Sequence, residues 1–392
     1  MTATDLILLR NAQVYAPAPL GTCEVLLGGG RILWLGRDAL ELPGALAVRT
    51  LDLQGQRLIP GLVDGHVHVT GGGGEAGFRS RVPPQALSRF TRAGVTTVVG
   101  LLGTDDVVRT PRELLAQVHA LREEGLSAYA YVGGYHLPPA TLTGSVRGDL
   151  VLIEPLIGVG EVAISDHRSS QPGFDELMRV AADAHVAGLM TGKAGILHLH
   201  LGDGARGLDF VRRALAETEL PARTFQPTHV NRRKALFDEA LELARQGVHI
   251  DVTAFPVDEG EDAWDAVAAF LRYQASGAPA ERLSISSDAG GSLPCFDGDG
   301  CVVSMEVGES GALLATLRGL LAQGVPLEQA LPPFTSNPAR LLRLAGKGHI
   351  AVGADADLVA LDAAGNAQLV IARGAIHLQD GRVCRHGWFE AR

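Results

Sequence analysis

Two spacings of apolar residues divide the chain. Near both ends the apolar runs are short and broken by polar positions and turns, the pattern of half-buried strands. Leu6-Ile-Leu-Leu, Cys23-Glu-Val-Leu-Leu, Arg31-Ile-Leu-Trp-Leu and Val48-Arg-Thr-Leu-Asp-Leu come first, separated by turns such as Gly28-Gly-Gly. From Gly348 the pattern returns in Asp357-Leu-Val-Ala-Leu, Gln368-Leu-Val-Ile-Ala and Ala375-Ile-His-Leu, with Asp380-Gly381 as a hairpin turn. Neither set has enough strands for a stable sheet of its own. The two ends, residues 1–57 and 348–392, are therefore expected to combine into one small β-sandwich.

Residues 58–347 read differently. Apolar runs recur at Thr96-Thr-Val-Val-Gly-Leu-Leu, Ala128-Tyr-Ala-Tyr-Val, Val151-Leu-Ile, Val162-Ala-Ile-Ser, Ile196-Leu-His-Leu-His-Leu, Thr224-Phe-Gln-Pro-Thr-His-Val, Val248-His-Ile-Asp-Val-Thr and Leu283-Ser-Ile-Ser-Ser-Asp. Amphipathic segments lie between them, among them 112–124, 174–187, 208–216 and 235–246. Strands alternating with helices imply a parallel sheet. About eight such units predict a closed (β/α)8 TIM-like barrel rather than an open sheet.

Composition narrows the class. Of 392 residues, 46% are hydrophobic and 20% charged, enough for a sizeable core. The formal net charge of −10 argues against nucleic acid or an anionic membrane as the main partner, and leaves a small-molecule substrate open. Cys23, Cys295, Cys301 and Cys384 have no metal-binding spacing and read as free thiols. The start, Met1-Thr-Ala-Thr-Asp-Leu, lacks a signal-peptide pattern, and no apolar run is long enough to span a bilayer. The expected location is the cytoplasm.

In such a barrel, chemistry gathers at the C-terminal ends of the strands. In Gly65-His66-Val67-His68 the two imidazoles are at i and i+2, so on a strand they project to one face, ready for a divalent metal. Four glycines and Glu75 follow. Gly134-Tyr135-His136, Glu161 with Ser165-Asp166-His167-Arg168, His198 and His200, Thr228-His229-Val-Asn-Arg232, and Asp288 before Ser292 occupy later strand ends. Histidines at several strand ends and an aspartate at the last point to a metal centre.

His-x-His on the first strand, histidines on the fifth and sixth, and aspartate on the eighth resemble the amidohydrolase superfamily. So does the tail Gly348-His-Ile-Ala-Val-Gly-Ala-Asp-Ala-Asp-Leu-Val. Gly71-Gly-Gly-Gly-Glu-Ala-Gly, Val99-Gly-Leu-Leu-Gly-Thr-Asp, Ala163-Ile-Ser-Asp-His-Arg-Ser and Thr228-His-Val-Asn-Arg bring the chain closer to the isoaspartyl (β-aspartyl) dipeptidases. The resemblance implies hydrolysis of the isopeptide bond of β-aspartyl dipeptides by a hydroxide shared between two metal ions, most suitably Zn2+. His66 and His68 would hold one metal, His200 and His229 the second, and Asp288 the first metal and the water. His198 would be a support. Tyr135 would donate to the carbonyl oxygen, and Asp288 would act as general base and acid. Glu75 would take the substrate ammonium and Arg168 and Arg232 its carboxylates, with Gly73, Thr104 and Ser292 as further contacts. A homo-oligomer is also implied.

One position departs from the family. The bridge between the metals is usually a carboxylated lysine at the end of the fourth strand, where this chain has Glu161. Its three lysines, Lys193, Lys234 and Lys347, all lie elsewhere. Glu161 is therefore expected to bridge directly with its own carboxylate. Alternatives are a cyclic amidase of the dihydropyrimidinase or dihydroorotase type, an N-acyl amino acid deacylase, or a non-catalytic scaffold that has lost its ligands. Every ligand position here holds a competent side chain.

Overall fold

The strands of the two chain ends meet at one short segment. Arg57–Pro60 pairs in parallel with the end of Leu6–Tyr15, and antiparallel with Leu358–Leu361 from the far end of the chain. In the computed structural model, which describes residues 6–391, this joins nine strands into a single sheet. The long strand Leu6–Tyr15 branches it, pairing in parallel with Val48–Asp52 along its first half and with Arg57–Pro60 at its end. Apolar side chains from both arms, including Leu9, Val25, Leu27, Leu58, Leu358 and Ile371, close on one core. The sheet is thereby folded onto itself, with water excluded from the inner face.

The next strand after Pro60 starts the barrel. Eight parallel strands follow in order: Leu62–Val67, Val95–Gly100, Ser127–Val132, Leu156–Ile164, Leu197–Leu201, Phe225–Thr228, Ile250–Thr253 and Leu283–Ser286. The first six form one hydrogen-bonded sheet and the last two another. Helices follow each strand, and their buried faces pack on the sheet in a cluster that includes Phe90, Leu121, Leu177, Phe237 and Phe334. The ends of these helices are chemically marked. For Pro111–Glu124, the Thr110 side chain accepts from the Glu113 amide, and Gly125 closes the helix in the left-handed region at φ 106°. No helix among the described residues is long and apolar enough to cross a membrane.

Buried carboxylates tie the two sheets together. Between strands one and eight, Asp64 accepts from the Ser287 amide at 3.1 Å and from its hydroxyl, and the His68 amide donates to the Ala289 carbonyl at 2.9 Å. Between strands six, seven and eight, Asp251 accepts from Thr228 at 2.7 Å, from Ser286 at 2.6 Å and from Ser284. The Thr228–Asp251 bond stands where ladder pairing between strands six and seven is missing. A buried carboxylate is costly unless several donors surround it, and here each has them.

Two segments differ from the sequence-based expectation. Val151-Leu-Ile is not a strand: Val151 and Leu152 are the last turn of the helix Val146–Leu152, whose first turn is capped by the Ser145 hydroxyl accepting from the Gly148 amide. The fourth strand begins only at Leu156 and contains the Val162 run as its second half. Three apolar residues do not distinguish a helix turn from a strand. Beyond the eighth strand, Ser292–Phe296 and Val302–Val307 form an antiparallel hairpin that is not among the strands expected from the sequence.

His377, on the strand Ala375–Gln379, is fully buried and neither ring nitrogen has a hydrogen-bond partner. Burial, reinforced by the nearby Arg385, pushes its pKa down to about 4. The folded state therefore keeps it neutral, while an unfolded chain protonates it near 6.5. Stability should fall as the pH drops from 6.5 towards 4, by up to about 1.4 kcal/mol per unit from this group. Urea unfolding at pH 7 and pH 5 should show a smaller acid loss for His377→Leu than for the unsubstituted chain; equal losses would exclude the effect.

Candidate active site

Two carboxylates form the centre of the barrel mouth, and imidazoles surround them. Glu161 lies on the fourth strand and is 1% exposed. Its Oε1 is 3.3 Å from His68 Nε2. Its Oε2 faces three rings, at 3.1 Å from His200 Nδ1, 3.5 Å from His229 Nε2 and 3.6 Å from His66 Nε2. Asp288 Oδ1 lies 3.3 Å from His66 Nε2 and 3.2 Å from His68 Nε2, so the His-x-His pair does face one acid. Both His229 (φ 59°) and Asp288 (φ 53°) sit in the left-handed region just past their strands, which turns their side chains into the mouth.

The donor atoms converge in two sets: His66, His68 and Asp288, and His66, Glu161 and His229. His200 stands beside the second set, with its Nδ1 towards Glu161 and its Nε2 3.0 Å from Asp166 Oδ2. Within the cluster, His66 Nε2 and Asp288 Oδ1 are buried without a hydrogen bond. Leaving such groups unpaired costs roughly 1–3 kcal/mol each, so the arrangement suits an ion between them. The charge balance agrees. Burial would pull the His68 pKa down, but Asp288 and Glu161 outweigh it and lift it to about 10. The same field favours a divalent cation. None of the three lysines reaches this centre: Lys193 binds the carbonyls of Leu150 and Ile153, Lys347 pairs with Asp355 and Asp357, and Lys234 lies over Trp264.

His198 has both ring nitrogens occupied, Nε2 with His66 Nδ1 at 2.8 Å and Nδ1 with Gln226 Oε1 at 3.0 Å. Its ring stacks on Tyr131 at 4.9 Å. Burial, with His66 beside it, holds it neutral, well below the usual histidine range. It therefore fixes the ring of His66 and faces no open space. His229 is fixed in a similar way by Thr253 Oγ1 at 2.7 Å from its Nδ1. Gln226 and Thr253 carried no signal in the sequence beyond being polar positions on barrel strands.

A cavity of about 640 Å³ opens above the cluster, lined by Gly73, Glu75, Thr104, Tyr135, Arg168 and Arg232 among others. Gly73 is required there: a Cβ would fall 2.4 Å from the Ser80 carbonyl oxygen, and its φ is 78°. Thr104 and Ser292, expected as substrate contacts, both line this cavity, and their hydroxyls donate to Glu75 Oε1 at 3.1 and 3.0 Å. Glu75 Oε2 is left buried and unpartnered. Arg168 is held in place, with Asp166 on one edge of its guanidinium and Glu75 3.5 Å from Nη1. Arg232 donates to the Leu201 carbonyl at 2.6 Å and pairs with Asp203 at 2.9 Å. The Tyr135 hydroxyl is 2.9 Å from His200 Nδ1, and burial raises its pKa well above 10, so it remains a proton donor.

Comparison with known proteins places this geometry. The amidohydrolase family model matches residues 57–378. A β-aspartyl dipeptidase from Fervidobacterium islandicum AW-1, solved in complex with β-Asp-Leu dipeptide, is 40% identical with a TM-score of 0.93, covering 98% of each chain. Among curated proteins, an imidazolonepropionase of Acidiphilium cryptum is 32% identical over 36% of this chain and an adenine deaminase of Deinococcus radiodurans 28% over 91%. The matches span 37% and 58% of those two relatives' own lengths. By its sequence across the barrel and by its fold from end to end, this chain belongs to the amidohydrolase family, and within it resembles the β-aspartyl dipeptidases.

Proposed function

We propose that the chain hydrolyses the isopeptide bond of β-aspartyl dipeptides. The observation that carries this reading is Glu75. One oxygen is engaged by Thr104 and Ser292, while the other is buried, unpartnered and belongs to a residue lining the cavity above the histidines. A buried carboxylate oxygen left open calls for a cationic donor, and the free ammonium of a β-aspartyl residue is one. Arg168, 3.5 Å away, is the complementary group for the carboxylate on the same residue. An N-acylated amino acid or a cyclic amide has no ammonium, so Glu75 favours the dipeptide over both alternatives.

The donor set suits two divalent ions, most suitably zinc. His66, His68 and Asp288 would hold one, and His200 and His229 the other, with Glu161 between them because its two oxygens face different histidines. When bound, such ions lower the pKa of water towards neutrality and polarise the scissile carbonyl. Asp288 takes the proton from the attacking water and passes it to the leaving amine. Tyr135, buried and protonated, donates to the carbonyl oxygen as it gains charge, a contribution of roughly 3 kcal/mol. Arg232 and the Gly73 backbone line the cavity as further substrate contacts. We further propose a cytoplasmic homo-oligomer, the compartment from the scattered cysteines and the assembly from family resemblance.

Steady-state assays of the zinc-reconstituted protein should show turnover of β-Asp-Leu and none of α-Asp-Leu, dihydrouracil or N-acetyl amino acids. Hydrolysis of only the last two would replace the reading. Glu75→Gln should raise KM for β-Asp-Leu tenfold or more with a smaller change in kcat; an unchanged KM would remove Glu75 from recognition. For the bridge, elemental analysis should find two zinc ions per chain, and fewer than two in Glu161→Gln. Two ions retained by that variant would rule out bridging by Glu161.

A further inference from the structure

Asp166 has no assigned part in the reading above, yet it contacts both of that reading's halves. It follows the fourth strand, with 3% of its side chain exposed. Its Oδ2 lies 3.0 Å from His200 Nε2 and accepts from Arg168 Nη2 at 2.7 Å. Its Oδ1 accepts from Arg168 Nε at 3.0 Å and from the Arg168 backbone amide at 2.7 Å. One buried carboxylate thus holds the ring whose other nitrogen faces Glu161, and grips the edge of the arginine that lines the cavity.

The surroundings leave Asp166 little freedom. A Cβ on Gly202 would come within 2.4 Å of the Asp166 Cβ and 2.6 Å of its Oδ2, so the carboxylate occupies the space a side chain at 202 would take. Ser165 before it has φ 52°, and its hydroxyl bonds the Gly204 carbonyl at 2.7 Å and the Gly207 amide at 2.9 Å. The guanidinium plane is set as well, with its carbon 5.5 Å from the centre of the Tyr135 ring and 5.3 Å from that of Phe296. With Nε and one Nη2 hydrogen committed to Asp166, the Nη1 edge remains, on the side of Glu75.

Charge gives the arrangement its purpose. The Arg168 Nη2 lies 3.2 Å from His200 Nε2, so a guanidinium stands directly behind a ring expected to carry a metal. Two cations so close in a buried site repel strongly unless an anion lies between them. Asp166 is that anion. It also favours the His200 tautomer with the proton on Nε2, so that the Nδ1 lone pair faces Glu161 Oε2 at 3.1 Å and the Tyr135 hydroxyl at 2.9 Å.

We propose that Asp166 is a positioning residue that couples the metal-facing imidazole of His200 to the substrate-facing guanidinium of Arg168. The coupling rests on the dipeptidase reading for its substrate half and on the zinc centre alone for the other. The test is a double-substitution cycle with Asp166→Asn, Arg168→Ala and the pair, read by KM and kcat for β-Asp-Leu and by the rate of zinc loss to a chelator. Each single change should raise KM tenfold or more, and the pair should be no worse than Arg168→Ala alone. Asp166→Asn should also speed zinc loss by roughly tenfold. Gly202→Ala, which keeps the carboxylate but displaces it, should move KM and zinc loss in the same directions and covers the case in which Asp166→Asn does not fold. KM effects that multiply in the pair, or zinc retention within twofold of the unsubstituted chain in both Asp166→Asn and Gly202→Ala, would overturn the coupling. Failure of the unsubstituted chain to cleave β-Asp-Leu would instead refute the dipeptidase reading, and zinc loss, which needs no substrate, would still decide the His200 half.

Discussion

Burial of negative charge governs this barrel. Glu161, Asp288, Asp166, Asp64 and Asp251 are all nearly or fully out of water. An isolated carboxylate in such a place costs several kcal/mol, more than any single contact returns. Each therefore dictates what surrounds it. Asp64 and Asp251 are satisfied by hydroxyls and amides of neighbouring strands, and so serve closure of the barrel. Glu161 and Asp288 are surrounded by imidazoles, with atoms left unpaired that suit an ion. The same requirement thus produces a structural staple in one place and a reactive centre in another, according to whether the partners are hydroxyls or histidines.

The seam between strands six and seven connects these two uses. Backbone pairing lapses there, and side chains replace it. Thr228 bonds Asp251, Asn231 accepts from the Thr253 amide at 2.9 Å, and Thr253 bonds His229. The groups that bridge this join thus include the one that orients His229. Site geometry and fold stability share atoms at this point, and neither can be altered alone.

Much of this was legible in the sequence, for identifiable reasons. His66, His68, His229 and Asp288 stand at the ends of strong apolar runs, and the period of a strand is enough to say which of them share a face. The pairing of the two chain ends followed from each having too few strands. What was hidden depends on a third dimension. Val151-Leu-Ile is too short to declare its period, and only the Ser145 cap upstream makes it a helix end. That Thr104 and Ser292 both brace Glu75 from the cavity wall is visible only in space, since they lie far apart in the chain. Asp166 stands at a strand end in the sequence, but its contacts with His200 and Arg168, and the room Gly202 leaves for it, appear only in the fold.

The hairpin Ser292–Val307 sets the boundary between chemistry and choice. Its first residue holds Glu75, and Phe296 near its tip covers the face of Arg168. His66 and His229 are fixed instead by hydrogen bonds from the barrel strands, through His198 with Gln226 and through Thr253. A lineage that exchanged this one excursion would keep these histidines while removing one hydroxyl from Glu75 and the aromatic cover from Arg168. Change in the cavity wall can therefore begin outside the barrel strands.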